Sequence, residues 1–259
     1  GGINYHYNAS SDKGGSGGSG GGVWYGNGGS DGGSGTRGSA TTYGTPGSGQ
    51  GSTTREFEES TGTLYAGGGA GGLHSTVGVN GGSGGGGGTN AAGTANTGGG
   101  GGGGNSSTNS PGGYGGTGIV IIRNHRAPEQ TGLPTYTYTG SSQLIDDGNG
   151  NWRIKFLTSG TLTFTNLGTG VNGIDVFLVG GGGSGYYRSN NQYSGGGGGG
   201  YTKTQKNVSI VNNTSYSIVI GAGGAIPTTE GTGNNGQASS AFGYSASGGY
   251  ARNNGGFAY

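Results

Sequence analysis

Strand-like patterns of apolar and polar residues occur mainly in the second half of the chain. In NWRIKF (151–156), the apolar Trp152, Ile154 and Phe156 alternate with polar residues, which is typical of a strand with one buried face. The stretch continues through TSG into TLTFTN, and these turn residues predict a hairpin. IDVFLV (174–179) is apolar on both faces, which indicates a central strand of a sheet.

Three further stretches have strand character. YTKTQKNVSIV (201–211) and SYSIVI (215–220) are joined by the turn-like NNT, and GIVIIR (118–123) lies far upstream. No segment combines a helix cap with an apolar period of 3.6 residues. The pattern therefore predicts a mainly β fold with little or no α-helix.

Glycine-rich regions separate these strands. They cover roughly residues 1–118, residues 180–200 and the tail from about residue 221, and glycine supplies 77 of the 259 residues. Such a composition usually indicates disorder or a flexible linker. However, charged residues make up only 8% and nearly cancel, and Tyr, Trp and strand motifs adjoin the glycine tracts. We therefore favour an ordered arrangement, with a disordered chain and a flexible linker as the alternatives.

An ordered glycine tract needs hydrogen-bond partners outside itself. Consecutive glycines can adopt an extended helix of the polyproline-II type, with three residues per turn and no internal hydrogen bonds. Neighbouring helices of this kind can bond to one another because no side chains separate their backbones. We expect tracts such as residues 98–104 to form polyglycine-II or polyproline-II-like rods in a glycine-rich helix bundle, clamped by an antiparallel β-sandwich-like module.

Composition excludes several classes of protein. The chain has no cysteine, so it forms neither disulfides nor thiolate metal sites, and its net charge of +1 gives no basic surface for nucleic acid. The longest apolar runs are too short to span a bilayer, so we expect no membrane insertion. The absence of methionine predicts a processed form or a segment of a longer protein.

Candidate chemistry is sparse. His6, His74 and His125 lack the spacing of a metal site or a catalytic triad. REFEES (55–60) is a candidate for calcium binding or acid–base chemistry, but we favour a solvated strand or turn. IDDGNGN (145–151) resembles a calcium loop without its closing glutamate, so we favour a turn. No phosphate-binding loop is present. We expect no cofactor, no metal and no enzyme activity.

Four motifs of the chain match a recognisable pattern. The pattern is a strand ending in Val-Gly-Gly-Gly, then Gly-Gly-Tyr leading into a strand, then VxIGAGG and, at its close, GxGIVIIR; the matching residues are Val179 to Gly183, Gly199 to Tyr201, Val219 to Gly224 and Gly118 to Arg123. This pattern resembles the glycine-rich domain of bacteriophage tail and tail-fibre proteins and of some bacterial surface proteins. The resemblance covers most of the chain.

The order of the motifs differs from that of a single copy, because the closing motif precedes the opening strands. We therefore predict that residues 1–123 are the C-terminal half of one repeat unit and that residues 143–259 are the N-terminal half of the next, with a hairpin, core strands and glycine tracts. Residues 124–142, which contain clustered proline and charge, are predicted to be a linker. Either a tandem repeat or subunits that complete one another head-to-tail explains this order, and both imply a linear array.

The resemblance implies a structural and adhesive component of an extracellular fibre, on a virion tail or surface. A bacterial surface filament, a soluble ice-binding protein and a glycan-binding module are the alternatives. The expected partners are copies of the chain itself and a cell-surface glycan or protein receptor.

Aromatic residues at the ends of the tracts are candidate contacts for such a receptor, because Tyr and Trp provide rigid contact surfaces. The alternative is that they cap the bundle or pack between subunits. The candidates are Tyr5, His6, Tyr7, Trp24, Tyr25, Tyr186, Tyr187, Arg188 and Tyr193, with Tyr244, Tyr250 and Tyr259 as further examples.

Overall fold

The computed structural model describes residues 17–21, 54–72, 80–104, 109–124, 132–171, 173–187, 194–229 and 231–251. In this part of the chain there are ten strands, a single 3₁₀ turn at Glu56–Glu58 and no α-helix. The prediction of a mainly β fold with little or no α-helix is confirmed. The strands are β1 (Ile119–Asn124), β2 (Thr135–Tyr138), β3 (Ser142–Gly148), β4 (Asn151–Phe156), β5 (Gly160–Asn166), β6 (Gly173–Val179), β7 (Thr202–Ser209), β8 (Ser215–Val219), β9 (Ser239–Ala241) and β10 (Tyr244–Ala246).

The strands form two antiparallel sheets of five strands each. The first sheet has the order β3-β4-β1-β6-β7, and the second has the order β10-β9-β8-β5-β2. One buried apolar cluster contains residues from both sheets, so the sheets pack face to face as in a β-sandwich. Trp152 of β4 illustrates the packing, because its ring lies 6.0 Å from that of Phe164 in β5.

Alternation along the strands decides which side chains enter this core. In β4, Trp152, Ile154 and Phe156 are fully buried while the intervening Arg153 and Lys155 point to the opposite face. Strand β6 is buried at every position and lies between β1 and β7, which confirms the interpretation of IDVFLV as a strand inside a sheet.

A second apolar cluster explains why β6 is buried on both faces. Phe57 and Tyr65, from the chain around the 3₁₀ turn, cover the outer face of the first sheet and pack on Phe177. The ring centroids of Tyr65 and Phe177 are 5.5 Å apart. The first sheet is thus enclosed between the sandwich core and residues that lie more than fifty positions upstream of β1.

Two predictions about connections differ from the structure. The hairpin predicted across TSG is wrong, because β4 lies in the first sheet and β5 in the second. The predicted linker, residues 124–142, contains β2, which pairs with β5. By contrast, the turn predicted in IDDGNGN is confirmed: it joins β3 to β4 through Asn149 and Gly150, whose φ angles of 53° and 74° suit a tight hairpin turn.

Candidate functional site: the glycine block

Six strands continue directly into glycine-rich segments, all at the same end of the sheets. In the first sheet these are residues 112–118 before β1, 180–187 after β6 and 194–201 before β7. In the second sheet they are residues 221–225 after β8, 231–238 before β9 and 247–251 after β10. Residues 17–21, 66–72, 81–88 and 91–104 lie among them. We call these ten segments the glycine block.

Backbone hydrogen bonds from residues 180–187 repeat every three residues. The N–H groups of residues 180 to 187 donate, in order, to the carbonyl oxygens of Tyr201, Gln237, Gly116, Gly198, Asn234, Gly113, Gly195 and Gly231. Residues three apart therefore bond to the same neighbouring segment, at carbonyl groups that are also three apart. Successive N–H groups donate to three neighbouring segments in turn, whereas the N–H groups of a β-strand point to only two neighbours.

The same period occurs in residues 98–104, at the centre of the block. The N–H groups of residues 100 to 104 donate, in order, to the carbonyl oxygens of Gly67, Gly183, Ala91, Ala70 and Tyr186. Neighbours 66–72 and 180–187 each accept twice, again at positions three apart. Residues 98–104 and 180–187, which are distant in sequence, therefore share the same three-residue period of hydrogen bonding.

Hydrogen bonds in the block also connect the continuations of the two sheets. Gly181, beyond β6 of the first sheet, donates to Gln237, which precedes β9 of the second. Gly115 and Gly224, on the continuations of β1 and β8, are bonded in the same way at 2.9 Å. Packed sheets are normally about 10 Å apart because their side chains fill the space. Without side chains, the backbones approach to direct bonding distance.

This close approach explains the need for glycine. A Cβ atom added at Gly182 would overlap the carbonyl oxygen of Gly99, and one added at Gly100 would overlap that of Gly197. The obstacle in each case is backbone, which cannot move aside as a flexible side chain can. Glycine is thus required at these positions by space.

Ser239 joins the sandwich to the glycine block. Its side chain is fully buried, and its Oγ donates to the carbonyl oxygen of Val179 at 2.6 Å and accepts from the N–H of Gly221 at 2.9 Å. Val179 ends β6 of the first sheet and Gly221 follows β8 of the second, so one hydroxyl group links both sheets where they converge. Sequence reasoning missed this residue, since a serine in a Gly/Ser-rich chain carries no distinguishing signal.

Two other buried serines make comparable bonds further along the block. Ser194 Oγ donates to the carbonyl oxygen of Gly104 at 2.6 Å. Ser184 Oγ donates to the carbonyl oxygen of Ala225 and accepts from the N–H of Asn234, both at 2.8 Å. These hydroxyl groups take the place of a missing backbone partner between neighbouring segments.

Several segments reach the side of the block opposite the sheets, which we call the far end. Gly72 donates to Ser194 at 2.7 Å, and Gly104 donates to Tyr186 at 3.1 Å. Tyr187 forms an isolated bridge with Gly231. The far end is therefore where residues 180–187 leave the block and residues 194–201 and 231–238 enter it.

The structure describes two of the nine predicted site residues, and both lie at the far end. Tyr186 is buried, with 6% of its surface exposed, and Tyr187 is half-buried. Of the further examples, Tyr250 is exposed and packs edge-on against Tyr201 at 6.2 Å, while Tyr244 is half-buried beneath Lys203. The remaining candidates lie outside the described residues: Tyr5, His6, Tyr7, Trp24, Tyr25, Arg188, Tyr193 and Tyr259.

A cluster of charged residues lies on the outer face of the first sheet. Glu56 accepts hydrogen bonds from Tyr65 at 2.7 Å and from Lys155 at 2.6 Å, and it also pairs with Arg153. We call these four residues the Glu56 cluster. Arg153 makes two further bonds, both of 2.8 Å, to Asp147. The solvated turn predicted for REFEES is therefore wrong for Glu56, which is only 5% exposed.

The electrostatics of the cluster keep Glu56 ionised. Burial raises the pKa of Glu56, but the hydrogen bonds from Lys155, Tyr65 and Arg153 lower it by more, so that its pKa lies below the ordinary value. Burial and the bond to Glu56 raise the pKa of Tyr65, which stays a neutral donor. The hydrogen bonds to Asp147 and Glu56 raise the pKa of Arg153. At neutral pH the cluster therefore attaches the chain around Glu56 to β4 through opposite charges.

Arg123 makes a second attachment beside the first. Its Nε donates to Asp175 at 3.1 Å, directly across the β1–β6 pair, and its Nη1 pairs with Glu59. The guanidinium group also lies 4.1 Å from the ring centroid of Phe57. The chain from Arg55 to Tyr65 is thus held on the sheet by both charge and aromatic packing.

Among the residues that the structure describes, no group of three or more His, Asp or Glu side chains is placed to hold a metal ion. No described helix is long and apolar enough to cross a membrane.

Part of the chain matches a family model. Neither the curated proteins nor the solved structures contain one that matches the chain. Residues 157–258 match a family model described as a glycine-rich domain. The match begins at the connection before β5 and includes the described segments from 180–187 to 247–251, whereas β1 to β4 lie outside it. Residues 157–258 are therefore similar to a glycine-rich domain.

Proposed function

We propose that the extended segments of the glycine block, such as residues 98–104 and 180–187, are rods of the polyglycine-II type. The observation that carries this proposal is the three-residue period of the hydrogen bonds from residues 98–104 and 180–187. A helix with three residues per turn points successive N–H groups in three directions, as these segments do. The bonds run between segments, as expected for a helix that makes no internal ones.

We propose that such a block serves as the stiff, structural part of an extracellular fibre, on a virion tail or surface or on a bacterial cell. Rods that bond on several sides at once resist bending because any displacement breaks many bonds together. The order of the glycine and strand motifs, with its resemblance to tail-fibre domains, supports this function over that of an isolated binding module.

The adhesive part of the proposal concerns the far end. Strands anchor the opposite end of the block, so the connections that leave it at the far end are free to vary without disturbing the sheets. Tyr187, which is half-buried there, and the adjoining candidates Arg188 and Tyr193 would contact a glycan or protein receptor. Tyr186, which is buried, would instead hold the end of its segment in place.

Amide hydrogen exchange in the full chain tests the rods. We expect residues 98–104 and 180–187 to exchange as slowly as β6, because their N–H groups are bonded and buried, and much more slowly than in a short peptide of the same sequence. Electron microscopy of the purified protein tests the fibre. Peptide-like exchange in both segments would overturn the rods, and a strictly monomeric protein at high concentration would overturn the fibre.

One observation favours a second candidate, ice binding. The five strands of the second sheet contain no charged residue, and their outward positions carry hydroxyl groups and one valine. These positions are Thr135, Thr137, Thr161, Thr163, Thr165, Ser215, Ser217, Val219, Ser240 and Ser245. Neighbouring hydroxyl groups would be about 5 Å apart across strands and about 7 Å apart along them. Such an array can order water.

Thermal hysteresis separates the two candidates. An ice-binding face would lower the freezing point below the melting point, and Thr163→Lys in its middle would abolish the effect while Lys203→Thr, on the other sheet, would not. A wild-type protein without thermal hysteresis eliminates the second candidate.

A further inference from the structure

The first sheet has a position between β4 and β6 that is filled by β1 and by no strand from residues 132–251. We call this position the slot. β4 and β6 each pair with β1 and not with one another. Without β1, the sheet would divide into β3–β4 and β6–β7, and the apolar β6 would present an unpaired edge. β1 comes from before the connection at residues 125–134, which is ten residues long. A strand delivered across a single connection can come from the same chain or from another copy.

Resting on the fibre function proposed above, we propose that this slot accepts β1 from a second copy of the chain. Residues 54–124 then form a donor segment, and residues 132–251 form an acceptor. Each copy fills its neighbour's slot and leaves its own to be filled by the next. Because donor and acceptor surfaces differ, the contact is head-to-tail, and it generates a linear filament when the rotation between successive copies does not close a ring.

Charge complementarity identifies the donor segment as the specific occupant. The donor contributes Glu56, which meets Arg153 and Lys155 of the acceptor. In the opposite sense, Arg123 of the donor meets Asp175 of the acceptor. An unrelated apolar strand would not supply these opposite charges: Lys155 and Asp175 would lose the ion pairs with the donor, which is costly, although Arg153 would keep its pair with Asp147. The slot therefore selects a strand that arrives together with the chain around Glu56.

The glycine block adds to this selection. Bonds such as Gly182 to Gly116 and Gly101 to Gly183 join donor to acceptor, and they are the same whether the two segments belong to one chain or two. Whether β1 is donated within one chain or between copies then depends on the concentration of the protein. A short connection gives an effective concentration in the millimolar range, so donation within one chain dominates in dilute solution. Donation between copies takes over where copies are concentrated or held in line.

Reciprocal charge reversal in the full chain distinguishes the two arrangements. Glu56→Lys reverses the donor. Asp147→Arg, Arg153→Glu and Lys155→Glu together reverse the acceptor, and Asp147 is included because it pairs with Arg153. Each variant places like charges together within its own chain. When the two variants are refolded together, donation between copies pairs every reversed charge with an opposite one. We expect the mixture to recover several-fold more folded protein than either variant alone, in particles that contain both. The variant with all four substitutions, which should fold alone, is the control.

A second pair of variants covers the case in which charge reversal fails to discriminate. Ile121→Asp damages the donor strand, and Phe177→Asp damages the acceptor. A mixed dimer regenerates one intact unit, from the donor of the Phe177→Asp chain and the acceptor of the Ile121→Asp chain. Recovery in either mixture supports donation between copies. If neither mixture recovers folded protein, the proposal of donation between copies is overturned.

This result is separable from the proposed function. If wild-type amides in the glycine block are protected but neither mixture recovers, donation between copies is wrong and the rods remain. If those amides are unprotected, the fibre function itself fails.

Discussion

Strand β6 and the segment that follows it, residues 180–187, are continuous in the chain but lie in opposite kinds of surroundings. Around β6, the sheets are held apart by side chains such as Trp152 and Phe164, which meet in a shared apolar core. Around residues 180–187 side chains are almost absent, and the continuations of the two sheets bond directly to one another. The chain changes from one arrangement to the other between Val179 and Gly180.

The difference shows that two sources of order operate in one molecule. The sandwich is stabilised mainly by burial of apolar side chains, which is non-directional. The glycine block buries little apolar surface, and each glycine loses more conformational entropy on folding than any other residue. Its order must come from hydrogen bonds and from the fixed ends that the strands provide. We therefore expect the block to depend on the sandwich more than the sandwich depends on any one glycine segment.

Removing a large side chain from the sandwich should have the greatest effect. Trp152→Ala should lower the free energy of unfolding by about 3–5 kcal/mol, because it leaves a cavity between the sheets. Urea denaturation measures the loss, and Leu133→Ala, at an exposed position, should change stability by less than about 0.5 kcal/mol. Amide exchange should accelerate in residues 180–187 as well as in β6. Continued protection of the glycine segment alone would show that the block is ordered independently.

Adding one methyl group to the glycine block should cost nearly as much as that truncation. Gly182→Ala places a Cβ against the carbonyl oxygen of Gly99, and the resulting displacement should cost about 3 kcal/mol. Gly132→Ala is the control: its φ of 87° strains an alanine, but nothing lies within 4 Å, so the expected cost is about 1–2 kcal/mol. Equal costs in urea denaturation would mean that the block is less closely packed than its bonds indicate.

The junction between the two regions should be sensitive to a smaller change. Ser239→Ala removes the hydroxyl group that bonds both Val179 and Gly221, and it leaves at least one buried backbone group unpaired. We expect a loss of about 2 kcal/mol. Ser240→Ala, at the next and outward-facing position, should cost less than about 0.5 kcal/mol. A similar effect of both substitutions on thermal unfolding would remove the special role of Ser239.

The two regions also differ in what their sequences reveal. Alternation identified Trp152, Ile154 and Phe156 as one buried face, because side chains alternate along a strand regardless of its partners. The pairing of the strands could not be predicted from the sequence. TSG marks a turn, but the same turn can pair a strand with the one before it or lead it into the opposite sheet. Strand β2 was missed because four residues, TYTY, lie in a stretch whose proline and charge indicate a linker.

Features of the candidate site depended on contacts that local sequence does not encode. Glu56 is buried because Arg153 and Lys155, almost a hundred residues later, lie on the outer face of β4. Ser239 is distinguished from other serines only by its position where the sheets converge. For the glycine segments, composition and length could be read from the chain alone, whereas the three-residue bonding period depends on the positions of all the neighbouring segments.

The smallest expected effect concerns the charges that attach the upstream chain to the first sheet, and it appears only in acid. The bonds from Lys155, Tyr65 and Arg153 hold the pKa of Glu56 below its value in the unfolded chain, so their contribution is present at neutral pH and is lost as the pH falls through the folded pKa. The wild type should lose stability on the order of 1 kcal/mol through this group below about pH 4.

Glu56→Gln should be less stable at neutral pH and should lose less on acidification. Glu58→Gln, an exposed neighbour in the same turn, should retain the wild-type profile. Urea midpoints between neutral and acidic pH measure both slopes. Parallel slopes for Glu56→Gln and the wild type would mean that the upstream chain is held on the sheet mainly by the packing of Phe57 and Tyr65 on Phe177. The sandwich would then resemble the glycine block in gaining little stability from charge.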